Sequence, residues 1–254
     1  PAYMKAIGFA QMFPEQRPMN TETLFDLASL TKVVAALPAV MILADRGEIA
    51  LDDPVCKYLP EFSGNGKSGV TIRHLLTHTS GLPGTEKYYL RLSDRDALIS
   101  ELYLTELSLP TGSKVVYSDL GFMLLGLLVE KVGGEPLNAF ADRHVYRPLG
   151  MRNTGFTPSP SEKNRAAATE FFRDRGGYQC GEVHDRNAKV MGGVSGHAGL
   201  FSQIDDLIRY ATVFLQDGAF GNVQLLKPET VREMSQNQTA GLSSSRGLGW
   251  AVYQ

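Results

Sequence analysis

The sequence predicts a mixed α and β fold in which the two chain ends build an α/β region and a helical region is inserted between them. Three observations carry this expectation. Short strand-like segments sit towards the two ends, the middle holds a long apolar helical pattern, and Pro, Gly and short polar residues crowd the connections. The expected division is residues 1–55 and 186–254 for the α/β region and 56–185 for the helical one. A cleft is expected at their junction, where ligand sites are commonest.

Met4 to Gln11 reads as a short strand and Pro14 to Asn20 as a turn-rich loop. After Ser29, the residues Val33, Leu37, Val40, Met41 and Ala44 recur at three- and four-residue spacing, which predicts a helix with a core-facing stripe that Gly47 stops. Pro38 lies inside that helix and predicts a kink, because it lacks an N–H. Thr71 to Thr77, Ser93 to Glu101, Asp119 to Val132 and Pro136 to Val145 read as further helices, the third long, apolar and closed by Gly133-Gly134. Pro158 to Gly181 reads as loop, Gly192 to Ser202 as turns feeding a strand, Ile204 to Leu215 as an amphipathic helix, and Gly247 to Tyr253 as a strand.

With 254 residues, 43% hydrophobic, 20% charged and a formal net charge of -2, the chain has the composition of a globular protein with material for a core. Near-neutral charge argues against a nucleic-acid binder, which needs a basic face to displace counterions. No apolar stretch reads as reaching the roughly 18 residues that span a bilayer. The first residues lack the basic, apolar and small-residue zones of a signal peptide. Cys56 and Cys180 are too few for a disulfide framework or a zinc site and are expected as buried free thiols.

The chemistry concentrates in Ala28-Ser29-Leu30-Thr31-Lys32. With Ser29 at a helix N-terminus, Lys32 falls on the same face one turn on. A serine hydroxyl needs a base to become a nucleophile, and a lysine amine held partly neutral by desolvation can be that base. The helix N-terminus adds backbone N–H groups where an oxyanion would develop. Alone, the tetrapeptide is weak evidence: composition produces about one S-x-x-K in a chain this long, and a surface Lys after a capping Ser is common. Tyr117-Ser118-Asp119 is a second element, its phenol able to relay a proton to a leaving group. The structural alternative is a core Tyr with Asp119 capping the next helix.

Taken in order along the chain, these blocks resemble a known family. Leu24 to Lys32, Gly47 to Val55, Tyr58-Leu59-Pro60, Thr71 to Leu82, Tyr117 to Phe122 with Leu125-Gly126, Pro148 to Met151 with Thr154, Gly199 to Ser202 with Asp205 to Leu207, and Gly247 to Trp250 are similar to those of the class C β-lactamases, the low-molecular-weight penicillin-binding proteins (D-Ala-D-Ala carboxypeptidases) and related serine esterases. The resemblance implies an α+β, β-lactamase/transpeptidase-like fold: a mostly antiparallel sheet flanked by helices, with an inserted all-helical region. It implies Ser29 as the acylated nucleophile, Lys32 and Tyr117 sharing acid/base work, and no cofactor or metal. The substrate would be a small molecule or a peptidoglycan fragment, placing the protein outside the cytoplasm if peptidoglycan-directed and inside if an esterase.

Two departures stand out. Asp119 occupies a position where the family usually carries Asn; facing the cleft, its carboxylate would disfavour anionic substrates, and it could instead pair with Lys32 or cap the helix. The family's third motif, Lys-Thr-Gly or His-x-Gly on a strand after Gly-x-Gly-Trp, is not found in the 254 residues. His197-Ala198-Gly199 has the letters but precedes that segment, so it reads as an earlier loop with His197 a candidate at the cleft. Asp119 and His197 are thus the candidate substrate-binding residues. His74 and His78 have zinc-like spacing without the accompanying Glu and read as structural. Gly66-Lys67-Ser68 reads as a flexible surface loop, and Gly181 to Asp185 as a loop near the cleft outside any triad. A hydrolase of amides or esters is the leading expectation; the alternative is a penicillin- or muropeptide-binding sensor that is acylated without turnover.

Overall fold

The computed structural model of the chain describes residues 3–173 and 176–253. Strands β1 (Phe9–Gln11) and β2 (Arg17–Pro18) form an antiparallel hairpin, so a strand lies inside the stretch expected as loop. β3 (Phe25–Asp26), β4 (Gly155–Phe156) and β7 (Leu200–Ser202) form a three-stranded antiparallel sheet with β7 in the centre; β5 (Ala168–Phe172) and β6 (Gly177–Cys180) form another hairpin. β5 and β6 lie where the sequence reads as loop. Their residues are mostly half-exposed, so polar side chains on both faces hide the alternation that marks a strand.

The segment that carries Ser29 and Lys32 runs from β3 into a 3-10 turn (Ala28–Leu30), a π-helical stretch (Lys32–Ala36) and α1 (Leu37–Asp45). Pro38 explains the π stretch. In that register the carbonyl awaiting its absent N–H is that of Val33, and the buried Tyr210 hydroxyl donates to it instead. By length and composition Ala28–Asp45 does reach the 18 residues that cross a bilayer, which corrects the sequence expectation; here every residue from Lys32 to Leu43 is buried in the protein core.

Helices α2 (Ile72–Leu76), α3 (Arg95–Leu104) and α4 (Asp119–Gly133) follow in the middle of the chain. α4 is buried on all sides from Leu120 to Val129 and packs on α1. Its N-cap is Ser118, whose Oγ accepts from Gly121 N–H, so Asp119 sits at the first helical position and not at the cap. The helix read from Pro136 continues beyond it, through α5 (Leu137–Ala141), a π stretch (Asp142–Tyr146) and Arg147–Leu149.

Three further readings change. Gly247 to Tyr253 is no strand: the N–H groups of Gly247, Leu248 and Gly249 donate to Trp250, Met234 and Leu76 carbonyls, which folds the segment into a turn against helix ends. Lys67 is not in a flexible loop. It is fully buried, and its Nζ donates to Tyr103 O (2.6 Å) and Thr105 O (2.8 Å), closing the C-terminus of α3. Cys56 and Cys180 are free but only half-buried.

Candidate active site

The chain enters the site through a strained turn. Ala28, with φ +44°, is in the left-handed region that a non-Gly residue rarely adopts. Asp26 braces it: Oδ1 accepts from Ala28 N–H (2.8 Å) and Oδ2 from His184 N–H (2.7 Å). Thr31, fully buried, fixes the other side of the turn by accepting Leu200 N–H from β7 on its Oγ1 (3.1 Å). Ser29 is thereby held at the surface, directly ahead of the buried helix.

Lys32 Nζ donates to Ser29 Oγ (3.0 Å), Asp119 Oδ1 (2.6 Å) and the His197 carbonyl (3.2 Å). Three acceptors match the three N–H bonds of an ammonium. Lys32 has the dry surrounding that the sequence predicts, but a carboxylate comes with it. Asp119 also sits in the first turn of α4, where the helix dipole favours negative charge. Its charge is matched by Lys32, so the expected repulsion of anionic substrates loses its basis.

Tyr117 precedes the cap of α4, half-exposed, with its ring centroid 4.9 Å from Lys32 Nζ. Ser29, Leu30, Lys32, Tyr117, Gly249 and Trp250 are among the residues that line a cleft of about 320 Å³. A larger hollow, about 490 Å³, lies among Lys163, Glu182 and Lys189 and includes none of Ser29, Lys32 or Tyr117. The cleft with the chemistry is the candidate site.

The structure brings Ser29, Lys32, Tyr117 and Asp119 together, and takes the His197 side chain elsewhere. The buried imidazole accepts or donates at Nδ1 with Ser195 Oγ (2.8 Å) and meets Asp185 Oδ1 at Nε2 (3.0 Å). Only its backbone carbonyl reaches the cluster. Although burial opposes ionisation of Asp185, its hydrogen bond and charge pairing with His197 and the Ala188 N–H hold its carboxyl down at about 2. The loop carrying His197 lies close on α4 because Gly196 and Gly126 meet there: a Cβ on Gly196 would stand 2.0 Å from Phe122 O.

His78 is a participant that the sequence reading leaves as structural. Its ring packs on Tyr117 with centroids 4.5 Å apart, and Nδ1 accepts from Ser118 N–H (3.0 Å), which fixes the loop before α4. Burial, then the charges of Arg246 and Lys32, push its pKa down to about 3. An unfolded chain takes up this proton near 6.5, the folded one only near 3. The stability this neutral ring supports is therefore complete above pH 6.5 and is lost as pH falls towards 3, on the order of a few kcal/mol in all. His78→Asn keeps an acceptor for Ser118 and tolerates the φ of +60° found there. Between pH 7 and 4 its thermal midpoint is expected to fall less than that of the parent chain; parallel curves would rule the mechanism out.

The antiparallel sheet, its flanking helices and the cluster at a helix start define a class, the β-lactamase-like hydrolases and penicillin-binding proteins. The chain belongs to the Beta-lactamase family, whose model matches residues 1–254. A protein of Escherichia coli (strain K12) provisionally named D-alanyl-D-alanine carboxypeptidase is 35% identical over 98% of this chain and 65% of its own length. The chain thus spans just under two thirds of that relative. An N-acetylmuramyl-L-alanine amidase of Bacillus subtilis (strain 168) is 35% identical over 90% of the chain and 58% of its own. Among solved structures, a class C β-lactamase from Rhodobacter sphaeroides shares the fold with a TM-score of 0.73 at 20% identity, covering 95% of this chain and 64% of that one.

Proposed function

We propose that the protein is a serine hydrolase that cleaves an amide bond in a peptidoglycan-derived substrate through an acyl-enzyme on Ser29. The observation that carries this reading is the buried Lys32 Nζ at 3.0 Å from an exposed Ser29 Oγ in a walled cleft. Nucleophile and proton acceptor at that separation are what acyl transfer requires. The preference for an amide over an ester follows the two relatives, both named for the cleavage of amide bonds.

In the ion-paired form Lys32 has no lone pair to offer. Moving one proton along the 2.6 Å contact to Asp119 leaves an amine beside Ser29 and a neutral carboxylic acid beside it. The amine then takes the Ser29 proton as Oγ bonds to the carbonyl carbon. The Ser29 N–H at the helix start donates to the resulting oxyanion. Collapse of that intermediate breaks the C–N bond: Tyr117 delivers a proton to the departing nitrogen and regains one from the Lys32 ammonium, which restores the amine. Water then adds to the acyl carbonyl and gives its proton to that amine, and breaking the acyl C–O bond returns the proton to Ser29 Oγ.

Intact-mass analysis after exposure to a fluorophosphonate tests the nucleophile: one covalent adduct, mapped to Ser29, is expected. With acetyl-D-alanyl-D-alanine, release of free D-alanine is expected at a steady rate. An unmodified Ser29 would refute the assignment. A lasting penicillin adduct without product release from any amide would replace hydrolysis by capture.

A further inference from the structure

A serine, a histidine and an aspartate sit beside Lys32 and take no part in the proposed proton transfers. Ser195 Oγ meets His197 Nδ1 at 2.8 Å, and Asp185 Oδ1 meets Nε2 at 3.0 Å. The order is that of a nucleophile triad, but Ser195 is buried, so its hydroxyl is closed to a substrate. A ring protonated at Nε2 donates to Asp185 and accepts the Ser195 hydroxyl, which satisfies both nitrogens.

What the ring holds is its own backbone. The His197 carbonyl accepts from Lys32 Nζ (3.2 Å), alongside Ser29 Oγ and Asp119 Oδ1. Four of the eight residues from Gly192 to Gly199 are glycines, and such a stretch has a wide choice of backbone conformations. Two hydrogen bonds on the ring remove much of that choice at residue 197. The far end of the anchor is fixed too. Asp185 Oδ1 also accepts Ala188 N–H (2.8 Å), capping the short helix Arg186–Val190. From that helix the buried Asn187 donates to Glu86 O (2.7 Å) and accepts Tyr89 N–H (3.1 Å). Two positions before Glu86, Gly84 O accepts Asp119 N–H (2.7 Å). Residues 84–89 thus brace the carboxylate that holds Lys32 and, through Asp185, the carbonyl as well.

We infer that His197 and Asp185 are positioning residues: the imidazole, pinned between Asp185 and Ser195, aims the His197 carbonyl at Lys32 and so keeps the amine on Ser29. This deepens the reading of Ser29 as the nucleophile of a hydrolase and rests on it. Neither side chain is among those that line the cleft. They act through the direction of one acceptor. Three acceptors fix the Lys32 nitrogen in space, and releasing one lets Nζ swing away from Ser29 Oγ. A displacement of about 1 Å at a reacting group can cost on the order of 10²-fold in rate.

The rate at which a fluorophosphonate labels Ser29, followed by intact mass, tests it. His197→Leu removes both ring contacts. It is expected to lower the maximal labelling rate by about 10–100-fold, while the half-saturating probe concentration moves by less than about 3-fold. Ester hydrolysis should show the same split, a loss in kcat and not in KM. Asp185→Asn keeps an oxygen for the ring and for Ala188 N–H, so it is expected to retain most of the rate; Asp185→Ala is expected to lose it. In the Lys32→Met background, His197→Leu should cost at most about 2-fold more, because no amine is left to aim. A parent-like rate in His197→Leu overturns the inference. So does an equal loss with and without Lys32, which would make the effect one of folding. Should His197→Leu not fold, Asp185→Ala and Asp185→Asn decide, and equal rates in those two overturn the inference. A parent chain that stays unlabelled at Ser29 defeats the hydrolase reading itself, and the inference with it.

Discussion

Ser29→Ala is expected to lower kcat/KM for amide and ester hydrolysis by on the order of 10⁴-fold or more, with a thermal midpoint close to that of the parent. The asymmetry follows from where the hydroxyl sits. Ser29 is exposed, and among the described residues its Oγ makes one hydrogen bond, from Lys32. Deleting it leaves Lys32 with Asp119 and the His197 carbonyl, and the turn keeps its Asp26 brace. Chemistry is lost while packing is untouched. Release of D-alanine together with a calorimetric scan checks both halves. Turnover near the parent rate would mean that another group attacks the substrate, and a collapsed midpoint would mean that Ser29 is structural.

Lys32→Met should damage both properties. Activity is expected to fall by about 10²–10⁴-fold, the range for a general base, because Ser29 loses its proton acceptor. Stability should fall by about 2–4 kcal/mol, since the ammonium is nearly fully buried and its removal leaves the partly buried Asp119 carboxylate unpaired. In a chain of this size that corresponds to roughly 5–12 °C in midpoint. The double variant Lys32→Met/Asp119→Asn separates the two effects. Removing the stranded carboxylate is expected to restore most of the midpoint and none of the turnover. Recovery of activity in the double variant would exclude Lys32 from the proton transfers.

Much of the site was legible because its parts are local. Ser29 and Lys32 are one helical turn apart, so their meeting follows from helix geometry alone, and Tyr117 is announced by the block that precedes an apolar helix. The helices at Ile72–Leu76, Asp119–Gly133 and Ile204–Leu215 fall close to where periodicity predicts them. Strands were read less well. β5 and β6 are half-exposed, and the expected final strand has its N–H groups drawn to helix-end carbonyls. His197-Ala198-Gly199 has the letters of the third motif, yet the chain turns the His197 ring towards Ser195 and Asp185 and offers Lys32 only a carbonyl.

By itself, then, the order of residues determined the pairing of Ser29 with Lys32 and the class of fold, since each depends on neighbours within a turn or on blocks met in sequence. Tertiary structure alone decided the electrostatics. Asp119 lies 87 positions from Lys32 and reaches it because α4 packs on the helix that carries Lys32, while Arg246 comes to Tyr117 across more than half the chain. Charges act through space, so their balance is set by packing and not by spacing along the chain.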